Sequence, residues 1–208
     1  MKKHDAIYEI QFINACKSYK DNTIFKNLNL KIEKNKITAI LAPSGYGKTT
    51  LLNIMAGLEP LDSGEIMMKK QKISYMFQED RLLPWATVYE NIAFVLKSNT
   101  TPKCIGKIID KYLDLVKLKE YKYYTLEKLS GGMKRRVALA RAFAYNSEII
   151  IMDEPFKGLD LNLKHEIICE FLKIWKKNKT TTIIVTHDTK EAHSIAHNVC
   201  FLEEYNTL

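Results

Sequence analysis

No apolar run in this 208-residue chain approaches the roughly 18 residues needed to span a bilayer. The opening residues, Met1-Lys2-Lys3-His4-Asp5, have no apolar core behind them, so no signal peptide is expected. That places the chain in the cytoplasm unless a partner holds it elsewhere. Cysteine is sparse: Cys16, Cys104, Cys169 and Cys200 are widely scattered and form no CxxC pair, which argues against metal binding through thiolates. Each is expected to be a reduced, buried small residue. There is no long basic block, no low-complexity tract and no internal repeat. The formal net charge of +8 therefore reads mainly as lysine spread along the whole chain and solvated. An anionic nucleotide, an acidic membrane surface and nucleic acid are the other ways to account for it. A hydrophobic fraction of 46% is ordinary for a globular core, and the length suits one domain, with or without an insertion.

Against this plain background one stretch stands out. Ala42-Pro43-Ser44-Gly45-Tyr46-Gly47-Lys48-Thr49-Thr50 follows the apolar run Ile37 to Leu41 and precedes Leu51-Leu52-Asn53-Ile54-Met55-Ala56. The order is strand, glycine loop, helix. Such a loop turns backbone N–H groups inward, and the helix adds about half a positive charge at its N-terminus. Phosphate is the natural guest. Lys48 would reach the terminal phosphates and the Thr49 hydroxyl would ligate Mg²⁺, which is the Walker A pattern. Ala42 departs from it, standing where the first glycine usually is. If the position needs a positive φ, alanine costs about 1–2 kcal/mol; if it needs only close packing, a methyl is tolerated.

The remaining elements follow from periodicity and turn residues. Tyr8 to Cys16 alternates loosely and reads as a strand; Asp21-Asn22 gives a turn; Leu28 to Ile32 alternates strictly and reads as a second, antiparallel strand. Tyr19 either stacks on a base or covers the edge of the core. The helix after the phosphate loop should end near Gly57. Gly64 to Met68 and Ile73 to Phe77 read as short strands, the second stopping at Gln78. From Glu79 to Leu129 the texture is helical, with Pro84 and Pro102 as breakers. Thr87 and Glu90 form a capping box ahead of Val88, Ile92 and Val95, and a second helix is expected over Cys104 to Lys117. Ser130 is a plausible N-cap for a further helix. Its Met133, Val137, Ala140 and Ala144 share one face, with Lys134, Arg135 and Arg136 largely on the other. Ile149 to Met152 and Thr181 to Val185 are wholly apolar or β-branched runs, as in parallel strands buried on both faces. Leu161, Ile168, Phe171, Leu172 and Trp175 mark an amphipathic helix between them. A last helix should reach about His197, and a last strand should cover Val199 to Leu202.

Alternating strands and helices, with polar residues at the strands' carboxyl ends, predict an α/β fold with a mainly parallel sheet. An N-terminal antiparallel β portion and a helical subdomain inserted at about residues 79–145 complete it, within a single domain over 1–208. The strand ends carry the chemistry. Asp153, after four apolar residues, is a Walker B pattern, and a hard cation such as Mg²⁺ takes oxygen ligands and keeps waters. Asp153 would hold it beside Thr49. Glu154 points the opposite way along a strand, so it is free to accept a proton from an attacking water. Gln78 and His187 each end another strand. Taken singly, neither decides anything; a histidine beside a γ-phosphate would hydrogen-bond the transferring group.

With those residues in hand, the chain resembles the nucleotide-binding subunits of ATP-binding cassette (ABC) transporters. The separating feature is Leu129-Ser130-Gly131-Gly132-Met133, similar to the family's signature motif, followed by Arg135-Arg136-Val137-Ala138-Leu139-Ala140-Arg141-Ala142. The order also matches: phosphate loop, Gln78, signature, Walker B, the Gly158-Leu159-Asp160 D-loop, then His187. The resemblance spans about residues 8–203. It implies an ATPase with ATP and Mg²⁺ as ligands. Lys48, Gln78, Glu154 and His187 would be catalytic, Tyr19 and Asp160 would join the nucleotide site, and Thr49, Gln78 and Asp153 would hold the metal. It further implies two copies head to tail, with Ser130, Gly131 and Gly132 of one copy offering donors to the γ-phosphate bound by the other. The expected partners are a second copy, transmembrane permease subunits and, indirectly, a solute-binding protein; no nucleic acid is expected. The expected place is the cytoplasmic face of the membrane, as a peripheral subunit. Met133 replaces the commoner glutamine but lies past the three donors. The chain stops soon after its last strand, so no C-terminal regulatory domain is expected. A finer likeness, in Phe77-Gln78-Glu79-Asp80-Arg81-Leu82-Leu83-Pro84-Trp85 with Asn91 and with Asp153-Glu154-Pro155-Phe156, is to importers of nitrate, sulfonate, taurine and pyrimidine precursors. Two other classes compete. An ATP-gated clamp on nucleic acid or ribosomes usually needs two cassettes or a long coiled coil, and about 80 residues between phosphate loop and signature leave no room for one. A nucleotide-binding regulator without hydrolysis sits poorly with the presence of both Glu154 and His187.

Overall fold

The computed structural model describes residues 7–202, except 21, 44 and 99. The expectations for Met1–Asp5, Asp21 and Ser44 lie outside the described residues. The chain opens with β1 (Tyr8–Tyr19), β2 (Asn22–Leu28) and β3 (Lys31–Glu33). β1 pairs antiparallel with β2 through its C-terminal part and with β3 through its N-terminal part. β4 (Ile37–Leu41) is buried along its whole length and leads through the glycine loop into α1 (Lys48–Met55). β5 (Ser63–Met68) returns to β1, and β6 (Ile73–Met76) enters a second sheet. Three helices follow: α2 (Val88–Leu96), α3 (Pro102–Leu115) and α4 (Gly131–Ala144). Then β7 (Ile149–Asp153), α5 (Leu161–Asn178), β8 (Thr181–Thr186), α6 (Thr189–Ile195) and β9 (Asn198–Phe201) alternate to the end.

The second sheet has strand order β6-β7-β8-β4-β9, and every pairing in it is parallel. Its strands present alternate residues to two cores, as the pleat requires. Ile149, Ile151, Ile183 and Val185 face α1 and the antiparallel strands, packing with Phe12, Phe25 and Leu51. Ile150, Met152 and Ile184 face the other way, onto α4 and α5. Parallel pairing puts the carboxyl ends of β4, β6, β7 and β8 on one edge, where ligands of such sheets sit.

Several expectations are corrected. Leu28 to Ile32 is not one strand. Asn27 is left-handed, Asn29 Nδ2 donates to the Asn27 carbonyl, and Asn29 Oδ1 accepts the Asn14 amide, so asparagine side chains break the ladder there. β1 runs on past Cys16 to Tyr19. Pro102 does not break a helix; it opens α3, where its missing N–H costs nothing. Leu161 is 75% exposed and leaves the apolar stripe of α5. Of the cysteines only Cys200 is buried; Cys104 is exposed, and Cys16 and Cys169 are half-buried. The Thr87–Glu90 capping box and the Ser130 cap form as expected.

Candidate nucleotide site

The loop between β4 and α1 needs its glycines. Gly45 and Gly47 have φ of +89° and +76°. A Cβ on Gly47 would also lie 2.1 Å from Ile24 Cγ2. Ala42 is buried and is not among the positive-φ residues, so its methyl packs into the core at no backbone cost. Close packing, not a left-handed turn, is what that position requires. Pro43 and Tyr46 are exposed on the loop. Lys48 Nζ donates to the carbonyls of Ala42 and Pro43, each at 2.7 Å.

Strand ends then converge on a cavity of about 610 Å³. Its lining includes Lys48, Thr49 and Thr50 from α1, Gln78 beyond β6, Asp153 ending β7 with Glu154 just after it, and His187 beyond β8. Thr49 Oγ1 donates to Asp153 Oδ2 at 2.9 Å. Burial pushes the Asp153 carboxyl above the usual aspartate range, and the Glu154 charge adds to that; the Thr49 hydrogen bond and Lys48 oppose it. Glu154 takes a φ of +50°, which turns its buried side chain out of the strand's alternation. Its amide donates to the Val185 carbonyl at 2.8 Å. Both carboxylate oxygens lie within hydrogen-bond distance of His187 Nδ1, at 2.8 and 2.9 Å. Against an ionised Glu154 that nitrogen is the donor, and Nε2 belongs to a ring whose side chain is 63% exposed.

Of the expected residues, Ala42, Pro43 and Tyr46 of the loop, Tyr19, the signature residues and Asp160 lie outside the lining. Tyr19, 45% exposed, bonds Glu59 through its hydroxyl and also meets the Thr50 side chain, so it stands beside the phosphate-loop helix. Burial and the Glu59 carboxylate raise its phenol above the usual range. Ser130, Gly131 and Gly132 do not reach the cavity; they form the start of α4, with Ser130 Oγ accepting the Met133 amide. Asp160 caps α5, accepting from the Asn162 and Leu163 amides. Sequence reasoning missed Arg135, which it placed on a polar face. The side chain is buried and donates to the carbonyls of Phe77, Gln78, Asp153, Glu154 and Pro155 and to Asp80.

The donor set suits a magnesium nucleotide. Two inward-turned glycines and a helix N-terminus make a phosphate cradle. Thr49 and Asp153 offer adjacent hard oxygens, and no cluster of three or more His, Cys, Asp or Glu able to hold a metal exists among the described residues. A cation here would complete its shell with phosphate oxygens and water.

Comparison with known proteins settles the family. The profile of the ABC transporter family matches residues 25–157, more than half of the chain. The chain belongs to the ABC transporter family. It is an ABC ATPase cassette by fold: a dimeric bacterial ABC transporter cassette, MJ0796, matches at a TM-score of 0.84 and 28% identity, over 92% of this chain and 93% of that one. A dimeric post-hydrolysis state of the same cassette, bound to ADP and Pi, matches at 0.83. Among curated relatives, the spermidine/putrescine import ATP-binding protein PotA of Thermotoga maritima is 36% identical over 94% of this chain and 56% of its own length. The Fe(3+) ions import ATP-binding protein FbpC of Fusobacterium nucleatum is 37% identical, with the same coverage. The cassette thus spans little more than half the length of these relatives. Neither is named for the nitrate, sulfonate and taurine group that the Phe77–Trp85 stretch resembles. No helix among the described residues is long and apolar enough to cross a membrane.

Proposed function

We propose that the cassette binds ATP with Mg²⁺ in the cavity at the strand ends, hydrolyses it, and energises an ABC importer from the cytoplasmic face of the membrane. The carrying observation is the convergence of Lys48, Thr49, Asp153, Glu154, Gln78 and His187 on that one cavity. Lys48 exchanges its loop carbonyls for phosphate oxygens. Thr49, Gln78 and Asp153 would hold the metal, which when bound would supply neutralisation of phosphate charge. Glu154 accepts the proton of the attacking water, and its bond to His187 Nδ1 fixes its orientation. His187 Nε2 donates to the transferring phosphoryl group when the ring is doubly protonated. Tyr19 stacks on the base.

The site is completed by a second copy. Ser130, Gly131, Gly132 and Asp160 lie outside the cavity of their own chain, at the exposed start of α4 and before α5. Facing the phosphate loop of another copy, the α4 N-terminus becomes an anion site there. Helices α2 to α4, the subdomain proposed at about residues 79–145, pass the motion to permease subunits. Trp85, 78% exposed beyond the Gln78 loop, marks the contact. The resemblance of the Phe77–Trp85 stretch supports a small-anion or pyrimidine-precursor solute, reached through a solute-binding protein.

The test is a tagged pull-down from native membranes in mild detergent, with companions identified by mass spectrometry. A co-purifying permease is expected, and its relatives name the solute class. Ribosomal or DNA-bound companions with no membrane protein would overturn the transporter reading. A polyamine or ferric-ion permease would overturn only the solute class.

A further inference from the structure

Arg135 joins two segments that the sheet itself leaves apart. β6 and β7 pair in register up to Met76 and Met152, and beyond that the two chains diverge. One becomes the loop with Gln78; the other becomes the turn with Glu154. Arg135, 6% exposed, bridges them. Its Nη1 donates to the Phe77 carbonyl at 3.0 Å, the Gln78 carbonyl at 2.9 Å and Asp80 Oδ1 at 2.9 Å. Its Nη2 donates to the carbonyls of Asp153 and Glu154, both at 2.6 Å, and its Nε to Pro155 at 3.3 Å.

We propose that Arg135 is a positioning residue for hydrolysis: it locks the Gln78 loop and the Glu154 turn into one rigid unit and ties both to the helix that begins at Ser130. This rests on the ATPase reading of the site. Four observations support it. Glu154 holds a φ of +50°, a conformation that a non-glycine residue keeps only where its surroundings fix it. Its carbonyl is one of the two closest Arg135 acceptors, so the bond acts on that turn directly. A buried cation is costly unless it is fully bonded, and here a planar fork of five N–H groups meets carbonyls from both segments. Lysine has neither the fork nor the reach to bond both at once. Finally, Arg135 lies in the second turn of α4, so a shift of the Ser130 end is felt at both loops together.

Hydrogen–deuterium exchange on the nucleotide-free chain tests the lock without catalysis. Arg135→Gln should raise exchange in residues 77–81 and 153–156 together, leaving 149–152 and 181–185 unchanged. Exchange rising in one segment only, or in neither, would overturn the proposal. In kinetics the same variant should lower kcat by about 10- to 100-fold while KM for ATP stays within about threefold, because misplacement costs turnover before binding. A wild-type kcat would overturn it as well. Arg135→Lys should recover only part of the loss. If Arg135→Gln does not fold, Asp80→Asn serves: it removes the ion pair, should loosen residues 77–81 and 153–156 by a smaller factor, and unchanged exchange there would count against the lock. A wild-type chain without Lys48-dependent hydrolysis would instead sink the ATPase reading, and the exchange data would still decide the coupling.

Discussion

Single residues decide how the cavity behaves. Asp153 is buried with its carboxyl raised above the ordinary aspartate value, so the folded chain binds that proton more tightly than the unfolded chain does. Stability of the nucleotide-free protein should therefore fall as pH rises from about 4 through the raised value. Asp153→Asn should flatten that slope and raise the melting temperature near neutral pH, while abolishing Mg²⁺-dependent hydrolysis; thermal melts across a pH series check the first and phosphate release the second. A functional group held at a cost to stability is the expected trade. Ala42 makes a second case. Because its φ is not positive, Ala42→Gly should leave ATP affinity within about twofold and lower stability by roughly 0.5–1 kcal/mol through backbone entropy. Gly47→Ala should do the opposite of a neutral change, since its Cβ meets Ile24 and its φ is +76°. Nucleotide titration of the two variants separates these outcomes.

Elements were legible in the sequence where one local rule governs them. The buried parallel strands announced themselves as short β-branched runs, because both faces are covered. The Thr87–Glu90 box and the Ser130 cap were legible because a cap is a local hydrogen bond. Replacing Ser130 by alanine removes the bond to the Met133 amide and should cost about 1 kcal/mol of stability, measurable by denaturant unfolding. What was not legible depends on partners far along the chain. Arg135 reads as a surface charge by helical position, and only the approach of the β6 and β7 ends, more than 50 residues upstream and about 20 downstream, makes it a buried hub. The split between β2 and β3 was hidden because asparagine side chains, not apolar periodicity, set it. The left-handed Glu154 was also invisible: a strand's alternation would point it away from Asp153, whereas the strand ends at Asp153 and both residues line one cavity.

At the scale of the whole molecule, one chain carries only half of each proposed site. Its cavity gathers the phosphate loop, the metal-side aspartate and the Glu154–His187 pair, while the signature residues stand away from it at an exposed helix start. A solved cassette of the same fold, MJ0796, is dimeric in two states. The account therefore makes ATP the element that joins two copies, and hydrolysis the event that parts them. Removing the proton acceptor while keeping its shape should stall the cycle after joining. The direct measurement is the mass of the Glu154→Gln protein in saturating Mg²⁺-ATP, by sedimentation or light scattering, with bound nucleotide quantified in parallel. The account predicts a species of twice the monomer mass that is lost without nucleotide and never formed by a Lys48→Ala protein. A Glu154→Gln protein that stays monomeric with ATP demonstrably bound would contradict it.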